Sequence, residues 1–444
     1  MPLLQDEPNT PFTFKKFKKV KQPSYFYFMR DTQRHRLQLQ VDLMKDFGNI
    51  VRLPEHPPCF VLNHPDYVKH VLLTAQPNYI KADHIFRAAI PFVGEGIITN
   101  NHTAWKTQRH HLAGLFQPKN LDPYLSVIPH YTQATLARWH TFKSKQHTFN
   151  LATEMMWLTL QISAKNFFSE EIIDPLMVDN ITAFGRLLDR YLGKALFLLR
   201  FLPLPTTMAL KKKQRELEHY LLSLIEKRKK EPHPPADLLT TLLQNDLTQS
   251  QLLGELKNLL VASYETTAYA LIWTWYNLMT HPEALAHVKA ELAHAPPQEG
   301  GTVAQWPYLR MVIDESLRLY PPTWILTRNA VECDEIDGHF IPAGAHILLC
   351  LYAIHRHPDY WENPELFLPE RFSEENKKNI PRYSYLPFGA GPRTCIAAQL
   401  APLKAQYILA HLLSHTTLTL AKQKIKPQAF LFLSIKNGLW VNAT

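Results

Sequence analysis

The chain has only four cysteines, and no two of them form a C-x-x-C pair. That leaves nothing to build the common zinc or iron–sulfur cages. Their uneven spacing also argues against a disulfide framework, so a reducing compartment is expected. No uninterrupted apolar run reaches membrane-spanning length, and the start, Met1-Pro-Leu-Leu-Gln-Asp-Glu-Pro8, lacks both the basic and the apolar region of a signal peptide. A soluble, cytoplasmic protein is the expectation. Internal repeats, low-complexity tracts and a flavin or nicotinamide signature are missing as well. A formal charge of +9 invites nucleic acid as a partner, but the lysines and arginines are spread along the chain without a binding motif. An acidic protein partner, and no nucleic acid, is the reading that remains.

What is present is the material for a large core. Hydrophobic residues make up 46% of the chain and aromatics 11%, far from the profile of a disordered protein. Length alone suggests about three domains, but one cofactor tying distant segments together allows a single one. A single domain over residues 1–444 is expected, with a basic, aromatic arm at 1–30. In that arm Lys15 to Lys21 holds five lysines in seven residues, followed by Tyr25-Phe-Tyr-Phe28. Such a run can rest weakly on an anionic membrane surface or dock on the body of the protein. No amphipathic period is sustained, which favours docking.

Periodicity places the main elements. Arg36 to Phe47 reads as a helix ending near Gly48, and Ile50 to Leu53 with Cys59 to Leu62 as a strand pair across a Pro-rich turn. Gly94-Glu-Gly-Ile-Ile-Thr99 is a turn leading to a helix with Trp105 and Arg109 at i and i+4, where an indole N–H and a guanidinium can reach one anion. Phe149 to Leu199 reads as largely helical; Phe201-Leu-Pro-Leu-Pro205 breaks it before a basic helix from Met208 to Lys230. Thr248 to Thr280 keeps helical spacing throughout and carries Ala262-Ser-Tyr-Glu265-Thr266-Thr267 in its middle. An acid and two hydroxyls there are costly unless satisfied or used. Either the threonines bond back to i−4 carbonyls with Glu265 facing solvent, or these groups do chemistry. The pairs His110-His111 and His355-x-His357 lack the partners of a metal site.

Near the C-terminus stands Phe388-Gly-Ala-Gly391-Pro-Arg393-Thr-Cys395-Ile-Ala397, a tight loop followed by Ile396 to His411, which reads as a helix. A cysteine at a helix N-terminus is favoured as a thiolate, the form a metal ligand needs. A buried free cysteine behind a Gly-rich turn is the alternative.

Phe388-x-x-Gly391-x-Arg393-x-Cys395 resembles the haem-binding signature of the cytochrome P450 family. Three further motifs follow the family's order and spacing: Trp105-x-x-x-Arg109, the Ala262 to Thr267 run, and Glu315-x-x-Arg318 with Pro369-Glu-Arg371-Phe372. The resemblance implies a mainly α fold with a minor β portion and a long central helix over haem b. It makes Cys395 the iron ligand, with Phe388 packing beside it and Gly389 and Gly391 letting backbone N–H groups face the sulfur. Thiolate ligation is the family's known arrangement and enters on that resemblance alone. Trp105, Arg109, Arg328 and Arg393 are implied to hold the propionates, and Ala262 to border the cofactor. Thr266 and Glu265 are implied to relay the protons that splitting dioxygen consumes. Glu315, Arg318 and Arg371 are implied to be a structural cluster. Pro321 to Arg328 would run along the haem as a strand, with Ile98, Ala262, Thr323 and Ile325 lining a substrate pocket. Ser263 and Ala397 stand where the family usually has Gly.

The implied activity is insertion of one oxygen atom from dioxygen into an apolar small molecule, a fatty acid or terpenoid. A peroxygenase, a non-oxygenating isomerase and a haem-binding sensor are the alternatives. Family members of eukaryotes usually carry a membrane anchor, so a bacterial-type enzyme is expected. Electrons would come from an acidic ferredoxin or flavodoxin with its reductase. Lys106, Arg310, Lys377, Lys378, Arg382 and Lys404 are the basic residues expected on the docking face.

Overall fold

Thr248 opens the longest helix with a reciprocal cap: its hydroxyl accepts from Gln251 N while the Gln251 side chain accepts from Thr248 N. From there the chain stays helical to Thr280, about 48 Å at 1.5 Å per residue. The computed structural model describes residues 17–25, 28, 36–81, 83–117, 120–193, 205–297 and 306–443. The helices that frame the site are α1 (Arg36–Phe47), α2 (His102–Ala113), α3 (Leu151–Phe168), α4 (Pro175–Gly193), α5 (Pro205–Lys229), α6 (Gln249–Thr280), α7 (Pro307–Leu319) and α8 (Leu400–His415). Helix α6 runs through the middle and packs along α3, α7 and α8. It is apolar nearly all round, as a helix enclosed by others must be. The architecture is the mainly α fold with a small β portion that the motifs imply.

The larger sheet has strands β1 (Ile50–Leu53), β2 (Cys59–Leu62), β3 (Tyr79–Lys81), β4 (Leu326–Ala330) and β5 (His346–Leu349), in the order β1-β2-β5-β4-β3. Only β2 and β5 pair in parallel; the other neighbours are antiparallel. The register sets Lys81 of β3 opposite Arg328 of β4, which matters for the site.

Helix α1 and the strands β1 and β2 have the bounds that periodicity predicts. The stretch from Phe149 is two helices, because Ser169 turns left-handed (φ 53) and closes α3. The break at Phe201–Leu204 lies outside the described residues. Of the arm, Lys15, Lys16, Phe26 and Tyr27 lie outside them too. Its described part docks: Lys18 N donates to Gly338 O at 2.8 Å, and Arg52 N to Lys21 O at 3.0 Å. Lys18 Nζ pairs with Asp337 at 3.2 Å. No helix among the described residues is long and apolar enough to cross a membrane.

Candidate active site

The loop carrying Cys395 is closed by its own backbone. Cys395 N donates to Phe388 O at 2.9 Å, Gly389 N to Leu386 O at 3.0 Å and Thr394 N to Gly391 O at 3.0 Å. Gly389 and Gly391 have φ of +71° and +72°, a region side chains rarely tolerate. At Gly391 space forbids one too, because a Cβ would stand 1.9 Å from the carbonyl oxygen of Leu72.

Two expectations for this segment need correcting. The helix begins at Leu400 and not at Ile396; residues 396–399 are turns. Burial, moreover, pushes the Cys395 thiol up, with the Ala397 N–H and the Arg109 guanidinium pulling the other way. Burial thus works against a preformed thiolate. A bound metal supplies the missing charge, since a coordinated thiol is deprotonated outright. The sulfur is both accessible and densely surrounded, as on the wall of a deep concavity.

Four cations converge beside it. Arg109 Nη1 donates to Thr394 O at 2.8 Å, the residue before Cys395. Arg393 lies 4.2 Å over the ring of buried Trp105 and donates to Asn100 O at 3.1 Å and Asn101 Oδ1 at 3.0 Å. Arg328 donates to Thr327 O at 2.9 Å. The fourth is Lys81, which sequence reading missed. Its Nζ donates to Ile98 O and, at 3.5 Å, to Ile97 O. Burial, then Arg393, Arg328 and Arg109, drives the Lys81 pKa well down. Burial takes Arg328 to about 10, with Arg393 adding, and Arg393 to about 10. Among the described residues no carboxylate pairs with these four cations, and the Nε of Arg328 and of Arg393 are buried without a partner. Cations so crowded call for a bound group with negative charges. A soft sulfur beside a cradle for anions fits haem b, with its iron and two carboxylates.

On α6, Ala262, Ser263, Thr266 and Ala270 remain partly accessible while their neighbours Val261, Tyr264, Glu265 and Ala268 are buried. At i, i+1, i+4 and i+8 these four form one face. Ile98, Thr323, Ile325 and Phe388 are partly accessible too. Thr323 and Ile325 lie in irregular chain and not in the expected strand, which starts at Leu326. The segment is pinned by Leu433 N on Pro322 O at 2.9 Å and Tyr352 N on Trp324 O at 3.1 Å.

Thr266 Oγ1 donates to Ala262 O at 2.7 Å, Thr267 Oγ1 to Ser263 O at 2.9 Å, and Ser263 Oγ to Leu260 O at 2.9 Å. The hydroxyls thus bond back as the plainer reading has them, and α6 remains continuous. Glu265 departs from that reading, because it is 1% exposed and faces α4 rather than solvent. Tyr269 donates to its Oε1 at 3.3 Å, while Oε2 has no partner. A Cβ on Gly185 of α4 would come within 2.9 Å of that oxygen. Burial and the nearby Asp189 raise the Glu265 carboxyl to about 8, so it is protonated at neutral pH.

Behind the loop, Arg318 grips Glu315 with two bonds of 2.7 Å, and Arg371 approaches the same carboxylate at 3.4 Å. His355 is buried, its Nε2 accepting from Leu386 N at 2.9 Å. His357 contacts Asn49 at 2.9 Å. Among the described residues no cluster of three or more His, Cys, Asp or Glu stands close enough to hold a metal.

The cytochrome P450 family model matches residues 24–439. The chain belongs to the cytochrome P450 family, and its cofactor is haem b. It is a haem monooxygenase, an oxidoreductase. It is 28% identical over 382 residues to the cyclooctat-9-en-7-ol 5-monooxygenase of Streptomyces melanosporofaciens, covering 83% of this chain and 82% of that protein. It is 26% identical over 419 residues to the leukotriene-B4 omega-hydroxylase 3 of Mus musculus, covering 86% and 80%. The fold matches the crystal structure of the cytochrome P450DA heme domain with a TM-score of 0.86 at 19% identity, over 96% of this chain and 98% of that one.

Proposed function

We propose that this monooxygenase hydroxylates an apolar small molecule in the terpenoid to fatty-acid range, acting as one domain over residues 1–444 in the cytoplasm. The observation that carries the substrate class is that Ile98, Ala262, Ala270, Thr323 and Ile325 are uncharged and partly accessible. Two relatives are named for alicyclic and lipid substrates, which supports it. A peroxygenase or isomerase is disfavoured because Glu265 and Thr266 are both retained, and a sensor because those relatives are named as oxygenating enzymes.

Haem b, when bound, supplies the reductive splitting of dioxygen and the transfer of one oxygen atom to a C–H bond. Cys395 would hold its iron through sulfur, beside Phe388. Arg109, Arg328, Arg393 and Trp105, joined by Lys81, would hold its carboxylates. Thr266, whose hydroxyl donates back to Ala262 O at 2.7 Å, would pass protons on by releasing that bond, and Glu265 would serve as the protonated reserve behind it. A folded-state value near 8 means that this acid is loaded at pH 7 and discharged above about 8. We therefore expect product formed per electron pair to fall as pH rises from 7 to 9. Glu265→Gln lowers that coupling by about tenfold and abolishes its pH dependence, a smaller effect than the ~10²–10⁴-fold that positioned proton transfer can supply. Thr266→Ala diverts electrons to hydrogen peroxide without loss of haem. Unchanged coupling in both variants would assign these residues a purely helical role.

Electrons come, on this reading, from an acidic ferredoxin or flavodoxin served by a reductase. Lys404 cannot take part as the sequence suggests: it is buried, its Nζ meets Ser163 Oγ at 3.2 Å, and burial lowers it to about 7. Arg310 is tied to Asp314 at 3.0 Å. Lys106, Lys377, Lys378 and Arg382 are exposed. Reversing Lys106 and Lys377 to Glu should slow reduction by an acidic partner, more so at low salt, and leave dithionite reduction unchanged. Equal rates at all salt concentrations would remove these residues from the docking face. The basic arm at Lys15 to Lys21 would then be the first candidate for a use of the positive charge, in weak contact with an anionic membrane.

A further inference from the structure

The segment from Phe92, at the end of the helix Asp83–Val93, to Asn101 carries the partly accessible Ile98, and polar side chains hold it on both flanks. On the α6 side, Asn258 Oδ1 accepts from Ile98 N at 3.2 Å, while its Nδ2 donates to Val93 O at 3.0 Å and Gly254 O at 2.8 Å. Glu255 Oε2 accepts from Ile97 N at 3.2 Å. Lys257 Nζ donates to Phe92 O at 3.0 Å. On the cofactor side, Lys81 donates to Ile98 O and Arg393 to Asn100 O. Glu255 and Asn258 are each 1% exposed.

Three glycines let the loop lie directly on α6. A Cβ on Gly254 would stand 2.1 Å from Glu95 O, one on Gly94 2.8 Å from Gly254 Cα, and one on Gly96 2.7 Å from the Asn258 amide carbon. Glycines that permit this approach also loosen the loop, because they lose the most backbone entropy on ordering. Buried polar side chains in an apolar helix are costly unless their partners are fixed. Here the partners include the N–H groups of Ile97 and Ile98 and the carbonyls of Phe92 and Val93. Asn258 lies one turn before Ala262 on the same face of α6, so what fixes Ile98 to Asn258 also fixes it relative to Ala262.

We propose that Asn258 and Glu255 are positioning residues for substrate selection: by accepting the N–H groups of Ile98 and Ile97 they hold the Ile98 side chain beside Ala262 and set the length of ligand the pocket admits. This rests on the reading of that cavity as the substrate pocket. Discrimination in an apolar pocket is about 10–200-fold per methylene, so a wall displaced by the width of a methyl group changes which ligand fits.

The test is a binding series on the haem-loaded enzyme with 1-alkylimidazoles of increasing chain length, read by the shift of the Soret band as the ring nitrogen meets the iron. The wild type shows a sharp length optimum. Asn258→Ala flattens it, reducing the affinity ratio between the best and the next-longer ligand by about tenfold. Gly96→Ala, which leaves α6 untouched and presses on Asn258 from the loop side, does the same, and it carries the test if Asn258→Ala fails to load haem. The double variant is no flatter than either single one, because both act through one contact. Additive effects, or a wild-type optimum retained in Asn258→Ala and Gly96→Ala, would overturn the proposal while leaving the pocket reading intact. A wild type with no length preference would sink that reading and this proposal together.

Discussion

Cys395→His is expected to yield a protein that folds but whose reduced carbon monoxide complex lacks the red-shifted Soret band of a haem thiolate, with oxygenation reduced to background. None of the other three cysteines is placed to substitute. Cys350 is buried in the core with its Sγ 3.8 Å from Trp324 O, and burial lifts its thiol to about 12. Cys59 is buried beside Glu55, which raises it further. Cys333 stands at the turn between β4 and the hairpin Asp334–Ile341, with no part in the cysteine loop. Imidazole fits the same axial position but gives the iron a neutral nitrogen, without the electron donation that favours O–O cleavage. Absorbance of the reduced carbon monoxide complex, with circular dichroism to check the fold, decides the matter. A band that survives the substitution would mean that another residue holds the iron.

Much of this site is legible in the sequence because local spacing carries it. Trp105 and Arg109 need only a helix to share a face, and Glu315 and Arg318 need only one turn. The 32-residue span of α6 follows from the Thr248 cap and an unbroken apolar pattern. What escapes such a reading depends on tertiary placement. Lys81 lies in a three-residue strand with no periodicity, and only the pairing of β3 with β4 sets it opposite Arg328. Lys404 is expected outside because lysines usually are, yet α8 is buried on nearly every side and offers no polar face by which to place it. Ala397 and Ala398 favour a helix locally, whereas the chain turns at 396–399 before α8 begins. The direction of Glu265 is open for the same reason: on a helix enclosed all round, solvent is not the default neighbour of an acid.

Arg318→Ala should cost about 3–5 kcal/mol, the penalty for stranding a buried carboxylate, enough to lower the thermal midpoint sharply and to prevent stable haem incorporation. Arg318 and Glu315 are both 0% exposed. Besides its two bonds to Glu315, Arg318 donates to His355 O at 2.8 Å, Pro364 O at 2.7 Å and Leu366 O at 3.0 Å. Glu315 in turn accepts from Leu368 N at 3.0 Å. One guanidinium therefore ties α7 to three backbone carbonyls of the chain that approaches the cysteine loop. The tie continues through His355, which burial and the adjacent Arg318 hold neutral with a pKa near 3. Being neutral, its Nε2 can accept from Leu386 N, and Leu386 O receives Gly389 N at the start of the loop. Arg318→Lys is not expected to rescue, since an ammonium cannot reproduce a planar fork with five donors. Arg318→Met combined with Glu315→Gln should be less unstable than Arg318→Ala, because no fully buried carboxylate is left stranded and only the partly exposed Arg371 loses its partner. Its haem content should still be low, since the three carbonyls lose their donor. Thermal melts and haem-to-protein ratios of the three variants separate these contributions. Arg318→Ala melting and loading haem like the wild type would show that the cysteine loop keeps its shape without this cluster.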